Sequence, residues 1–199
     1  MTKEVREFIL KHKKLINENR FDIFFMTAHS TFTSSGCKKF CDALSTAGID
    51  FIPYMSFIPT GFMLYSDEKT YKIPNNITVI CPKAFAISDL ETMIIPKQVV
   101  AIQEDALSYC EQLTDVTIEE GCRTIGEGCF RYCLKLQNLI LPSTLLAIPE
   151  HIIEGCESLE QITYNGTIDE WNNLSGNQYC RSVHIKCSDG VIQSKFRGK

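Results

Sequence analysis

Long hydrophobic runs are missing from this sequence. No stretch approaches the roughly 18 consecutive apolar residues of a membrane-spanning helix, so membrane insertion by a helix is excluded and no membrane partner is expected. Strong charge of either sign is missing too: 20 Lys/Arg against 24 Asp/Glu leave −4 over 199 residues. What imbalance exists is local. Residues 1–72 carry ten basic and eight acidic side chains, residues 73–199 ten and sixteen. An acidic C-terminal part speaks against nucleic acid as a partner, because phosphate contacts need Lys and Arg. The opening MTKEVREFILKHKKLINENR lacks the unbroken apolar core and small-residue cleavage site of a signal peptide, its apolar residues being spread at helical spacing. A cytoplasmic location is therefore expected.

Catalytic signatures are missing as well. There is no G-x-S-x-G, no H-E-x-x-H, no P-loop and no G-x-G-x-x-G. His29 stands beside Ser30, but adjacent residues do not by themselves make a nucleophile and its base. The cluster Cys180, His184 and Cys187 offers three possible metal ligands at a spacing that fits no standard zinc site. The sequence is read as that of a non-enzyme with no cofactor and no metal, a metal-binding or enzymatic protein being the minor alternative.

Cysteine, in contrast, is abundant at ten residues. In an unsecreted chain this points to buried thiols before metals or disulfides. Three Asn-x-Ser/Thr sequons, at Asn76, Asn165 and Asn173, are read as turn residues for the same reason.

Several of the cysteines belong to a repeat, the dominant signal in the chain. Four full units start at Ile73, Ile95, Ile118 and Leu141, the first one residue short: IPNNITVICPKAFAISDLETMI, IPKQVVAIQEDALSYCEQLTDVT, IEEGCRTIGEGCFRYCLKLQNLI and LPSTLLAIPEHIIEGCESLEQIT. Ile80, Ile102, Ile125 and Ile148 share one column. Leu90, Leu113, Leu136 and Leu159 share another, and Met93, Val116, Leu139 and Ile162 a third. Cys110, Cys133 and Cys156 form a thiol column, with stacked Cα atoms about 5 Å apart, inside the disulfide window; buried free thiols are the expectation. Glu104, Glu127 and Glu150 form an acidic one, read as an exposed face. A weaker copy, IPTGFMLYSDEKTYK, precedes them at residues 58–72.

Each unit ends in Leu-x-x-apolar-x-apolar. That alternation predicts a short strand with one face inward, closed by Pro74, Pro96 or Pro142, which cannot donate to a sheet. One unit cannot bury its face alone, so units must stack.

The run IP..V..I...AF..C..L..I.IP resembles BspA-like leucine-rich repeats, and the ending ITYNGTIDEW…VHIKCSDG resembles the segment that often follows them. The resemblance covers roughly residues 58–190. It implies an α/β leucine-rich-repeat solenoid, right-handed, with a short parallel concave sheet. It also implies a binding scaffold, used in bacterial, protist and phage proteins, rather than one activity.

The ends are expected to be caps. Residues 1–57 read as a helical N-terminal cap or subdomain: an amphipathic helix over 3–18, a second over 21–29, and a third carrying Cys37, Phe40, Cys41 and Leu44 on one face. The repeats then occupy 58–163, and 164–199 form a C-terminal cap and tail. There, Thr167 and Glu170 make a capping box that starts a short helix with Trp171 and Leu174. Val183 and Ile185 alternate as in one more strand.

Strand alternation also names the outward residues. These are Thr70, Lys72, Thr92, Ile94, Asp115, Thr117, Asn138, Ile140, Gln161 and Thr163, with His184 ending a row. They are the candidate contact face for a protein partner. Six strands about 4.8 Å apart and four residues deep give under roughly 400 Å², half of one side of a standard interface. Specificity is therefore expected to reside partly in residues 1–57. The reading is an intracellular protein-interaction module, an inhibitor or adaptor such as a phage-encoded antagonist of a host protein. The alternative is a surface or adhesion-type structural repeat protein.

Overall fold

In the computed structural model the described residues are 69–194, together with Glu7, Lys11 and a two-residue strand at 57–58. The expected helical cap over 1–57 thus lies outside the described residues, save that Glu7 and Lys11 are helical and exposed. Most of the weak copy at 58–72 lies outside them as well.

The chain winds in stacked coils. A long sheet is built from β2 (Thr70–Lys72), β4 (Thr92–Ile95), β6 (Asp115–Ile118), β8 (Asn138–Leu141) and β9 (Gln161–Tyr164). To these are added β10 (His184–Cys187) and β11 (Gly190–Ile192). The order is β11-β10-β9-β8-β6-β4-β2, parallel throughout except for the β10–β11 hairpin. Tyr71, Met93, Val116, Leu139, Ile162 and Ile185 stand in one register and point inward. Leu90, Leu113, Leu136 and Leu159 are buried beside them in a single core, as the repeat requires.

A second sheet was not legible as strand. β1 (Phe57–Ile58), β3 (Val79–Ile80), β5 (Ala101–Ile102) and β7 (Thr124–Ile125) pair in parallel, in that order. The sequence shows here only one recurring isoleucine per unit, and two residues are too few to display a period of two.

The arc between the two sheets carries a third backbone ladder. Lys83, Phe85 and Ile87 donate their N–H groups to the carbonyls of Glu104, Ala106 and Ser108 at 3.1, 2.8 and 2.9 Å. Asp105, Leu107 and Tyr109 repeat this toward Glu127, Cys129 and Arg131, and Gly128, Phe130 and Tyr132 toward Glu150, Ile152 and Glu154. The first and last donors of every arc have positive φ: Lys83 57° and Ile87 59°, Asp105 53° and Tyr109 59°, Gly128 62° and Tyr132 58°. His151 and Gly155 repeat the pattern in the next coil at 53° and 70°. A left-handed residue turns the chain sharply, and glycine takes that conformation without strain. Only two of these eight positions use it.

Unit three lacks the proline that ends the strands of its neighbours and has Glu119 and Glu120 instead. Glu119 accepts from the Lys97 N–H in the coil before, at 3.0 Å. Glu120 accepts from the Ser143 N–H and hydroxyl in the coil after, both at 3.0 Å, and from Asn165 at 3.1 Å. Two carboxylates therefore cap turn donors on both sides of their own coil. Gly121 follows them because a Cβ there would run into the Lys97 carbonyl.

The C-terminal cap is as the capping box predicts. Helix α1 (Ile168–Asn173) starts at Thr167, whose side chain accepts from the Glu170 N–H while Glu170 accepts from the Thr167 N–H. Trp171 is buried against Tyr164 with ring centroids 5.2 Å apart. A short 3-10 helix, Asn177–Cys180, leads to β10. Among the described residues no helix is long and apolar enough to cross a membrane.

Candidate functional site

The outward face of the long sheet presents two rows, one side chain per strand. The first runs Thr70, Thr92, Asp115, Asn138, Gln161, His184 and the second Lys72, Ile94, Thr117, Ile140, Thr163, Lys186, all in direct register. The structure thus brings all ten candidate contact residues onto one face. It adds Lys186, which the sequence reading passed over, and Val191, which pairs with Lys186 from β11 and is 46% exposed. The turn Ser188-Asp189 that creates β11 is short and follows a strand of ordinary composition, so the hairpin had no distinct periodicity to announce it.

Most side chains of the face are polar and need no cover. Of its apolar side chains Ile94 is the most open, at 60% exposed.

The middle of the face is shaped. A depression of about 260 Å³ lies over β6, β8 and β9, lined by Asp115, Thr117, Gln137, Asn138, Ile140 and Gln161 among others. Asp115 is held in place at its rim. The Asn138 Nδ2 group donates to one carboxylate oxygen at 2.7 Å and the Thr114 hydroxyl to the other at 2.5 Å. These two hydrogen bonds, Thr114 first, keep its pKa below the ordinary carboxylate value, so the group is ionised at neutral pH. At the edge of the face, the His184 Nδ1 atom accepts from the Ser194 N–H at 3.1 Å.

The other chemically minded residues take structural places. Cys110, Cys133 and Cys156 do form one column, and their thiols donate to the carbonyls of Phe85, Leu107 and Phe130 in the preceding coil, at 3.1, 3.1 and 3.0 Å. Ser88 occupies the same place in the short first unit and lies 3.3 Å from the Cys110 sulfur. The eight cysteines within the described residues are free. Burial raises the thiol pKa of Cys156 and Cys180 to about 12. Cys180 and Cys187 are buried in the terminal cap, and no group of three metal-ligating side chains occurs among the described residues. Glu104, Glu127 and Glu150 are exposed; the Tyr179 hydroxyl donates to Glu150 at 2.6 Å and His151 lies 4.0 Å from both Glu127 and Glu150. His29, Ser30, Cys37 and Cys41 lie outside the described residues.

Parallel strands one per coil, a ladder of inward leucines and a side-chain face open to solvent define a leucine-rich-repeat solenoid. The chain belongs to the BspA-type leucine-rich repeat family, whose model matches residues 56–184 in six copies. Its fold is similar to that of a leucine-rich repeat protein from Eubacterium ventriosum, at a TM-score of 0.53 and 16% identity over 56% of this chain and 30% of that one. A leucine-rich cell surface protein from Faecalibacterium prausnitzii is also similar, at a TM-score of 0.44 and 26% identity over 55% of this chain and 35% of that one. Both matches span about a third of the solved relative's length. Among curated proteins nothing matches.

Proposed function

We propose that the protein is a non-enzymatic interaction module that captures a protein partner on the outward face of the long sheet. Family membership supports interaction or surface-repeat function in general. The observation that carries the particular reading is the pair of in-register rows. They combine an exposed isoleucine, hydrogen-bonding side chains and a central depression on a rigid backbone. Such a face offers adaptable polar contacts around a few apolar anchors, the anatomy of a non-obligate interface.

Inside this reading we place the protein in the cytoplasm as an inhibitor or adaptor. For the location, the support is that the thiols of Cys110, Cys133 and Cys156 act as hydrogen-bond donors between coils, a role open only to reduced sulfur; the inhibitor or adaptor role rests on the partner capture proposed above.

The test is capture of a partner from the native host lysate by the full chain, with an Ile94→Arg/Ile140→Arg variant beside it. The substitutions are at solvent-facing positions, so the variant is expected to melt like the parent and to lose the partner. Removing residues 1–57 is expected to abolish capture too, since the sheet face alone is below the size of a stable interface. A partner held equally well by the double variant would show that the face is not the site.

A further inference from the structure

The charges on the outward face follow a pattern. Across β2, β4, β6, β8, β9 and β10, Asp115 is the one carboxylate among the register-row side chains. The cationic side chains of those rows stand at the two ends of the sheet, Lys72 on β2 and Lys186 on β10. A positive group approaching the face is repelled at both ends and drawn to the centre, where the depression lies.

The carboxylate is prepared for such a group. Asn138 and Thr114 each donate to a different oxygen, so the carboxylate plane is set while both oxygens keep a lone pair for a second donor. Asn138 has turned its Nδ2 toward Asp115, which points its own carbonyl oxygen the other way. Gln161 follows in register on β9. Acceptors thus recur along the row at one strand spacing, about 4.8 Å. Beside them Ile140 offers an apolar wall.

We propose that this depression receives an arginine side chain supplied by the protein partner. The guanidinium meets both oxygens of the Asp115 carboxylate, and its aliphatic stem lies on Ile140. Arginine fits better than lysine because a planar fork with five donors reaches both acceptors at once, whereas an ammonium is a point charge that satisfies one. The inference rests on the binding face proposed above and names the chemistry that face selects.

A random dodecamer peptide library, displayed on phage and selected against the full chain, tests it. The selected peptides are expected to share an arginine. Asp115→Asn is expected to weaken them by about tenfold or more, the loss typical of a charge-assisted hydrogen bond. Replacing the shared arginine by lysine should weaken them several-fold. Because Asp115 lies at the surface, its variants are expected to fold; a charge swap, Asp115→Arg with glutamate in place of the peptide arginine, should restore binding and separates recognition from misfolding. Peptides without arginine, or indifferent to Asp115→Asn, that are nonetheless lost with Ile94→Arg/Ile140→Arg would overturn the arginine site and leave the binding face standing. Peptides indifferent to every one of these substitutions, or no selected peptides at all, would overturn both.

Discussion

The thiol of Cys133 donates to the carbonyl of Leu107 at 3.1 Å, across the boundary between two coils. Leu107 is itself tied to the same coil through its N–H, which donates to Cys129 at 3.0 Å. One residue is therefore bound to its neighbour coil by both of its backbone groups. A cysteine suits this position because it is small, apolar enough for the core, and still a donor. The two roles can be separated by substitution. Cys133→Val strands the Leu107 carbonyl and adds a methyl group to a fully buried site, and is expected to cost about 1–2 kcal/mol or more. Cys133→Ser keeps a donor, as Ser88 does in the first unit, and is expected to cost less. Urea unfolding of the two variants decides: if valine is the better tolerated, packing and not the hydrogen bond accounts for the column.

Ile87 raises the opposite question, because its backbone is unfavourable and its side chain is wasted on solvent. Its φ is 59°, a value at which a β-branched residue is strained, and the side chain is 64% exposed. The equivalent residue two coils on is Tyr132, which at least stacks on Tyr109 with centroids 4.9 Å apart. In the next coil the position is Gly155. Replacing Ile87 by glycine is expected to raise stability by about 1 kcal/mol, the left-handed penalty being relieved while the core packing stays intact. Gly155→Ala is the converse, since its Cβ would stand 2.5 Å from the Tyr132 ring, and is expected to destabilise. Thermal melts of both variants check the pair; a destabilised Ile87→Gly would mean that the exposed side chain has a stabilising partner of its own.

These two residues also show where the sequence is transparent and where it is not. Leu90, Leu113, Leu136 and Leu159 could be placed in one inward row because a strand of four residues displays its alternation and a repeat displays it four times. The outward rows follow from the same alternation, so Asp115 and Ile140 are legible as surface residues in the sequence. The left-handed pair in each arc was hidden. Glycine is the residue that announces such a backbone, and six of the eight positions carry something else. The fixed carboxylate was hidden for a different reason: that Asn138 faces Asp115 depends on strand register, which sets residues 23 apart side by side. Lys186 was missed because β10 lies beyond the last full repeat, where the column pattern that located the other strands has ended.

Trp171 gives the C-terminal cap its own reporter, since it is the one tryptophan in the chain. It lies on the buried side of α1, a helix of six residues that starts at a capping box. Thr167→Ala removes the acceptor for the Glu170 N–H, at 3.2 Å, and is expected to cost about 1 kcal/mol locally. The end coil of a solenoid touches one neighbour instead of two, so it is the natural place for separate fraying. Tryptophan fluorescence of Thr167→Ala is therefore expected to change at a lower urea concentration than the far-ultraviolet signal of the sheets. Coincident transitions would show that the cap and the coils unfold as one unit.

Thiols whose burial raises their pKa, Cys122 and Cys180 among them, also set an upper pH limit. A cysteine in the unfolded chain titrates near its ordinary value of 9.0, whereas burial raises Cys122 to about 11 and Cys180 to about 12. Above pH 9 the unfolded state therefore binds fewer protons than the folded one, and stability falls as pH rises through this window. It is complete below pH 9 and is lost progressively toward pH 11–12. The slope is at most about 1.4 kcal/mol per pH unit for each such thiol. Urea midpoints are expected to be level from pH 7 to 8 and to drop between pH 9 and 10.5. Tyr164, whose pKa is raised chiefly by burial, steepens the decline above pH 10. Cys180→Ala removes one of the contributing groups and should flatten the decline even as it lowers the midpoint at neutral pH. A midpoint that stays level to pH 10.5 in the parent would mean that its thiols ionise as freely folded as unfolded, and the core described here would have to be open to water.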